Sequence, residues 1–143
     1  MNYVNYEDFK KMDMRLGLIK FVEPVEGTDK LLRFEIDFGA TEVTLSLTGG
    51  PDESSESLKE TEIPFGKEEY AGRDVRQIVS GIREFFPEYE ELVGKYSLYI
   101  LNLEPREIRG VMSHGMLMAV DDLESKPIFL GPQGEVKPGA RVR

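Results

Sequence analysis

The stretch Gly110-Val111-Met112-Ser113-His114-Gly115-Met116-Leu117-Met118-Ala119 decides how this chain folds, together with Asn102-Leu103-Glu104-Pro105-Arg106-Glu107-Ile108-Arg109 immediately before it. The two segments predict a strand, a short proline-containing loop and a second strand whose start is punctuated by glycines. Glycine has no Cβ, so main chain can approach a ligand closely at such positions. The pattern indicates a binding surface and offers little for acid–base chemistry.

Alternating apolar residues predict strands on both sides of this stretch. Residues 14–22 alternate and then slip in phase at Ile19 and Phe21, close to Gly17, which indicates a bulge where the strand bends. Residues 32–38 alternate cleanly and predict a half-buried strand. Further strands are expected at residues 43–47, 77–82, 96–103, 115–120 and 128–130.

Helices are expected to be short and few. Residues 6–12 predict one helix with Asn5 as its N-cap, and residues 87–94 predict another, with Pro87 in its first turn and Gly94 at its end. The fold class is therefore mainly all-β, and short strands with one helix between the third and fourth suggest a small barrel.

Composition bounds the possible functions. The 143 residues indicate a single domain spanning 1–143. The chain has no cysteine and one histidine, His114, so neither a disulfide framework nor a cysteine or multi-histidine metal site is expected, and no cofactor is indicated. Apolar runs fall short of the roughly 20 residues that span a bilayer. We expect a cytoplasmic protein.

The acidity is concentrated in one region. The net charge is −9, and residues 41–74 hold nine acids and three bases, a local charge of −6. The remainder holds 15 bases and 18 acids and is close to balanced. Nucleic-acid binders need Lys and Arg for phosphate contacts, and a nearly balanced domain can still present a basic face. We interpret the acidic stretch as an insertion and expect its residues 49–57 to form a protruding loop.

The motif residues carry a family resemblance. The pattern Asn-Leu-x-Pro-Arg-x-Ile-Arg-Gly-Val-x-Ser-x-Gly-Met over residues 102–116 resembles the signature of small tRNA-binding domains. These domains are free-standing proteins or the C-terminal or beta-subunit domains of methionyl-tRNA synthetases. Four further segments are similar to the family, and the match covers roughly residues 1–40 and 75–143. They lie at residues 8–17, 28–39, 76–82 and 136–143.

The resemblance implies a five-stranded OB-fold barrel that binds folded tRNA by shape and backbone, without catalysis. It implies a homodimer formed through the C-terminal region, with an aminoacyl-tRNA synthetase as a possible partner. Ser113 and Met116 match positions that contact tRNA, and Arg106 and Arg109 are candidates for phosphate contacts. The other candidate RNA-binding residues are Arg15, Lys30, Asn102 and His114.

Each candidate also has a structural interpretation. Ser113 could cap a turn, Met116 could fill the barrel, and Asn102 could order the turn that follows it. Arg15, Lys30 and His114 could be ordinary surface residues. The chain departs from the family at Glu104 and Glu107, where its relatives usually carry basic residues, and the two carboxylates would offset the neighbouring arginines.

The sequence leaves two alternatives to tRNA binding. A protein-interaction or chaperone-like barrel of the same fold fits the acidic balance and predicts an exposed apolar patch. An enzyme has little support, because Ser113 and His114 are adjacent on a strand and point to opposite faces. The acidic insertion at about 41–74, which the family mostly lacks, would either screen one edge of the groove or dock a protein partner.

Overall fold

A computed structural model of the chain describes residues 1–41 and 63–143. The prediction of a mainly all-β fold is confirmed: the described residues form eight strands, one α-helix and four short 3-10 turns. The helix α1 is Tyr6–Lys10. The strands are β1 Met14–Pro24, β2 Leu32–Ala40, β3 Arg73–Ser80, β4 Tyr96–Ile100, β5 Arg106–Ile108, β6 Val111–Ser113, β7 Met116–Asp121 and β8 Pro127–Phe129.

Six strands form one antiparallel sheet in the order β3-β2-β1-β4-β7-β8, and β5 and β6 form a separate hairpin. The bulge predicted in β1 is present, because its register with β2 shifts between Ile19 and Phe21. Gly17 precedes it at a crowded point. A Cβ there would lie 2.6 Å from Phe38 Cε1 and closer still to Ile36 Cγ2. The strand can pass over this layer of the core only because residue 17 has no side chain.

The ladder does not close into a complete barrel within the described residues. Residues 112–114, at the end of β6, instead bridge the gap beside β3. Val79 N donates to Ser113 Oγ at 3.0 Å, and His114 N donates to Gln77 O at 2.9 Å. Gln77 Nε2 also donates to Met112 O at 2.8 Å. This seam, the three hydrogen bonds that join β3 to residues 112–114, holds the hairpin on the sheet.

The core lies inside the curved sheet and is apolar. Its buried members include Ile19, Leu32, Phe34, Ile36, Phe38, Ile78, Tyr99 and Leu101. Phe38 and Tyr99 meet edge to face with ring centroids 5.4 Å apart, and Ser97 Oγ donates to the Tyr99 hydroxyl at 2.6 Å. No buried side-chain nitrogen or oxygen in the described residues lacks a hydrogen-bond partner.

The expectation that β2 is half-buried is wrong. Glu35 and Asp37, on the face away from the core, are 1% and 4% exposed. Residues 63–70 cover that face through two 3-10 turns, Pro64–Gly66 and Glu68–Tyr70. Polar residues in an alternating pattern usually indicate a solvent-exposed face, but here Lys67 and Tyr70 in the covering segment donate to Glu35, and Arg73 at the start of β3 donates to Asp37.

Part of the stretch interpreted as an acidic insertion is packed on the sheet. Tyr70 is 1% exposed and Arg73 already belongs to β3, so residues 63–74 are part of the packed fold. The strand expected at 43–47 and the loop expected at 49–57 lie outside the described residues.

Local features at the two ends of the described chain agree with the sequence pattern. Asn5 Oδ1 accepts from Asp8 N at 2.8 Å and caps α1, as predicted. The helix expected at 87–94 is a shorter 3-10 turn, Tyr89–Leu92. The C-terminal segment runs along β1, where Leu16 N donates to Ala140 O at 2.8 Å. No helix among the described residues is long and apolar enough to cross a membrane.

Candidate nucleic-acid interface

The β5–β6 hairpin presents the arginines singled out by the sequence. Arg106 pairs with Ser113 and Ile108 pairs with Val111. The two residues at the tip, Arg109 and Gly110, have φ of 53° and 84°. Two successive positive φ values are typical of the type I′ turn, whose twist matches that of the strands it joins. The turn projects Arg109 from the tip of the hairpin, where its side chain is exposed.

Arg109 and Lys30 line one cavity of about 320 Å³ at the edge of the sheet. The other residues lining it are Thr28, Asp29 and Leu31. We call this cavity the cationic groove. Arg83 Nη1 donates to Thr28 O at 2.6 Å and holds the floor of the groove in place. Two cations at one concave site can contact successive phosphates of a polyanion.

The cations of the hairpin and groove have no acidic partner among the residues that the structure describes. Within residues 1–41 and 63–143, no carboxylate lies within 4.0 Å of Arg106, Arg109 or Lys30. Glu104 and Glu107 are exposed and form no ion pair with them. By contrast, ion pairs join Arg15 to Asp13, Arg33 to Glu35, Arg73 to Asp37 and Arg76 to Asp74.

Ser113 and Met116 occupy very different environments. Ser113 is 4% exposed, and its hydroxyl accepts from Val79 N and donates to Gly115 O at 2.9 Å. Its one proton is therefore already used inside the protein. Met116 is 47% exposed at the start of β7 and can contact a ligand directly. Ser113 can act on a ligand only indirectly, by fixing the seam.

Arg15 and Asn102 organise the end of α1 and the start of β1. Arg15 donates to both carboxylate oxygens of Asp13, at 2.8 and 3.0 Å, and this hydrogen bonding holds the pKa of Asp13 below its usual value. Asn102 Oδ1 accepts from Asp13 N at 2.8 Å, and Asn102 Nδ2 donates to Lys11 O at 2.5 Å. Asn102 therefore orders residues 11–13 and not the turn that follows it.

His114 lines a second cavity, of about 310 Å³, with four residues that the sequence analysis did not single out: Phe65, Val75, Arg76 and Gln77. We call this cavity the ring pocket. Phe65 belongs to the stretch interpreted as an acidic insertion, and only the turn pattern Pro64-Phe65-Gly66 could have marked it. Gln77 was placed correctly on a strand, but its hydrogen bond to Met112 in the hairpin is a long-range contact.

A buried charge cluster fixes the wall of the ring pocket. Glu35 accepts from Lys67 Nζ, the Tyr70 hydroxyl and Arg33 Nη2, each at 2.7 Å. Burial raises the pKa of Glu35, but these three hydrogen bonds outweigh it and leave the pKa below its usual value. Arg33 Nη1 also donates to Gln77 Oε1 at 2.9 Å. The Glu35 cluster, namely residues 33, 35, 67 and 70, is thereby linked to the seam.

Comparison with known proteins assigns this chain to a family. Residues 47–141 match the model of the putative tRNA binding domain. The chain belongs to the tRNA-binding domain family. This family assignment confirms the resemblance carried by residues 102–116. A Methanosarcina acetivorans methionine–tRNA ligase is 37% identical over 140 residues, which are 98% of this chain and 15% of the ligase.

Solved structures related to this tRNA-binding domain extend the comparison. The MetRS related protein from Pyrococcus horikoshii is 28% identical with a TM-score of 0.69, and the match covers 100% of both chains. The chaperone CsaA from Bacillus anthracis is 21% identical with a TM-score of 0.66, covers 99% of this chain and 100% of CsaA, and shows a shared fold only. The chain spans about 15% of the length of the ligases it matches.

Proposed function

We propose that this chain is a non-catalytic tRNA-binding module that recognises folded tRNA by its shape and backbone. The supporting observation is that Lys30, Arg106 and Arg109 are exposed and form no ion pair within the described residues, on a domain of the tRNA-binding family. Double-helical RNA is contacted mainly through phosphates and 2′-hydroxyls, so a few well-placed cations are sufficient. Glu23, Glu35 and the other paired acids contribute to the net charge of −9 without neutralising these three side chains.

The candidate residues divide into contact and support roles in this proposal. Lys30, Arg106 and Arg109 contact phosphates, and Met116 and His114 lie against the RNA beside them. The support residues are Ser113, which fixes the seam, Asn102, which orders residues 11–13, and Arg15, which is paired with Asp13.

The test is a titration with folded tRNA at several salt concentrations. Each phosphate contact contributes roughly 0.7 to 0.9 to the slope of log K against log salt. We expect the double variant Arg106→Ala/Arg109→Ala to weaken binding to all tRNAs similarly and to reduce the slope by about 1.4 to 1.8.

A variant of equal charge change provides the control. Lys95 and Lys126 are exposed and line a different, apolar groove with Tyr96 and Phe129. Replacing both lysines by Ala should leave the slope within a few tenths of the wild-type value, because the far groove makes no phosphate contact. Equal losses in the two double variants would show that binding follows net charge alone, and the proposed interface would then be wrong.

The role as an accessory to methionyl-tRNA synthetase is part of the same proposal. It is supported by the 37% identity to a segment of a methionine–tRNA ligase. We expect addition of this chain to a synthetase lacking such a domain to lower the KM for tRNA and leave kcat unchanged, since only binding is supplied. A change in kcat with KM constant would contradict an accessory binding role.

We also propose that the homodimer uses α1 and the C-terminal segment. α1 has no buried residue, and Tyr3, Val4 and Tyr6 are 91%, 69% and 68% exposed. Val142 lines the adjoining cavity with Tyr6. Such contiguous exposed apolar side chains are typical of an interface. Sedimentation equilibrium should give twice the chain mass for the wild type and the single mass for Tyr6→Glu. A wild-type monomer would refute this arrangement.

The alternative function, peptide binding, is favoured by one observation. The apolar groove at Phe86, Tyr96, Ile128 and Phe129 has a volume of about 550 Å³, and Ile128 is 47% exposed. A groove of this size accepts apolar side chains. Peptide binding that is insensitive to salt, with no measurable affinity for tRNA, would favour this function over the first.

A further inference from the structure

The ring pocket has features that phosphate binding in the cationic groove does not use. It has a volume of about 310 Å³, at the lower end of the range for small-ligand sites, about 300 to 1,000 Å³. It lies against the β5–β6 hairpin, because its wall residue Gln77 donates to Met112 O at 2.8 Å. A tRNA held by the hairpin would therefore pass its mouth.

One side of the ring pocket is an aromatic ring held in a strained conformation. Phe65 has φ 56° and ψ 17°, in the left-handed region that bulky residues rarely adopt. Lys67 N donates to Pro64 O at 3.1 Å and closes the turn around Phe65, and the ring packs edge to face on Tyr70 with centroids 6.2 Å apart. The side chain is nevertheless 42% exposed. Strain of this kind persists where surrounding structure fixes it and is concentrated at functional sites.

A second ring lines the same pocket. His114 is exposed, and its backbone is held by the hydrogen bond from its N to Gln77 O at 2.9 Å. Within residues 1–41 and 63–143, its imidazole forms no hydrogen bond. Phe65 and His114 are thus two anchored aromatic side chains with ring surface available to a ligand. Aromatic side chains of this kind stack the unpaired bases of single-stranded RNA.

The charges in the pocket favour a base over a phosphate. Arg76 donates to the two carboxylate oxygens of Asp74 at 3.0 and 3.2 Å and to Leu101 O at 3.2 Å. Its positive charge is therefore balanced, and a phosphate entering the pocket would approach the carboxylate of Asp74. A neutral base avoids this repulsion.

The pocket also has polar capacity for the edge of a base. Gln77 Oε1 accepts from Arg33 and Gln77 Nε2 donates to Met112 O, which uses one acceptor site and one donor of the amide. One donor and one acceptor site remain, in an orientation fixed by those two bonds.

We propose that the ring pocket binds one unstacked nucleobase of the tRNA, stacked on Phe65 and His114 and hydrogen-bonded by Gln77. This inference rests on the proposed tRNA-binding function. It adds a contact to the single-stranded part of the RNA. The affinity gained from this contact does not depend on salt, because stacking releases no counterion. The cationic groove supplies the salt-dependent affinity, and the ring pocket supplies register along the RNA.

A unique fluorophore tests the contact directly. The chain has no tryptophan, so Phe65→Trp introduces the only indole. We expect folded tRNA to quench its emission by stacking. The matched control is Leu123→Trp, because Leu123 is 105% exposed in the turn between β7 and β8, at the opposite edge of the sheet from β3. Its emission should not change. Equal quenching in both variants, or none in Phe65→Trp, would overturn the proposal.

Affinity measurements separate the pocket from the groove. Phe65→Ala should weaken tRNA binding about five- to thirtyfold with the salt slope unchanged, whereas Arg106→Ala/Arg109→Ala changes the slope. Phe65→Leu keeps an apolar side chain without a ring, and should lose most of the same affinity. Circular dichroism checks that each variant folds, and the fluorescence of Phe65→Trp decides the matter if Phe65→Ala does not.

The outcomes distinguish this proposal from the one it rests on. If wild-type protein does not bind tRNA, the proposed function fails. If tRNA binds with the expected slope, but Phe65→Ala has wild-type affinity, only the ring-pocket proposal fails. If Phe65→Trp responds to aromatic peptides and not to tRNA, the pocket recognises protein side chains and the nucleobase assignment is wrong.

Discussion

Replacing Glu35 by Gln tests whether the buried charge cluster stabilises the fold. The substitution keeps the shape of the side chain and removes its charge. Glu35 accepts three hydrogen bonds of 2.7 Å, from Arg33, Lys67 and Tyr70, and is 1% exposed. The amide of Gln has only one oxygen, so its NH₂ group would face either Arg33 Nη2 or Lys67 Nζ, which are themselves donors and cannot accept a hydrogen bond. At least one of the cations at residues 33 and 67 then lacks its counter-charge.

The structure sets the expected magnitude. Removing one member of a buried ion pair typically costs about 3 to 5 kcal/mol. The side chain of Lys67 is 35% exposed and can be hydrated, whereas the side chain of Arg33 is 16% exposed and can be hydrated only in part. We therefore expect a loss of about 3 kcal/mol, at the lower end of that range. For a chain of this size, this corresponds to a fall in Tm of about 10 °C.

Urea unfolding followed by circular dichroism measures this loss. The matched control is Glu23→Gln, since Glu23 also accepts from Arg33, at 2.8 Å, but has a side chain that is 45% exposed and forms one ion pair. It should lose no more than about 1 kcal/mol. If Glu35→Gln loses no more stability than Glu23→Gln, the buried cluster does not stabilise the fold, and the reasoning is refuted.

Two further predictions concern acid stability and packing. The pKa of Glu35 in the folded protein lies below its ordinary value of 4.5, so the stability that Glu35 contributes is present above that pH and is lost as the pH falls through the folded pKa. The difference in unfolding free energy between wild type and Glu35→Gln should therefore shrink below about pH 4.5. A difference that stays constant in urea unfolding from neutral to acid pH would contradict this. Gly17→Ala should lower the unfolding free energy by about 1 to 3 kcal/mol, because the added Cβ overpacks against Ile36 and Phe38. The control Gly134→Ala, whose Cβ would meet nothing within 4 Å, should change the unfolding free energy by less than about 0.5 kcal/mol. Equal losses of the two variants in thermal unfolding would rule out the steric explanation.

Local sequence patterns predicted the elements of the fold well. The alternation in β1 and β2, the phase slip near Gly17 and the Asn5 cap each depend on residues close together in the chain, and each is present. The order of the strands and the partly open sheet could not be derived in the same way, because they depend on contacts between distant residues.

The long-range contacts also explain what was missed at the candidate interface. Glu35 lies in an alternating pattern that predicts a solvent-exposed side chain. Nothing near it in the sequence shows that Tyr70, 35 residues later, covers it. Likewise, Phe65 reaches the neighbourhood of His114 only because residues 63–70 fold back on the sheet. The motif located the hairpin, but it could not show that Ser113 uses its hydroxyl internally.

The seam between β3 and residues 112–114 has a mechanical consequence. Elsewhere in the sheet, neighbouring strands are joined by backbone ladders, whereas this edge is held by three hydrogen bonds, two of which use the side chains of Ser113 and Gln77. We expect the amide of Val79 to exchange with solvent deuterium sooner than the amides between β1 and β2. The sheet would then be stiff between β1 and β2 and more easily deformed at the edge where residues 112–114 meet β3.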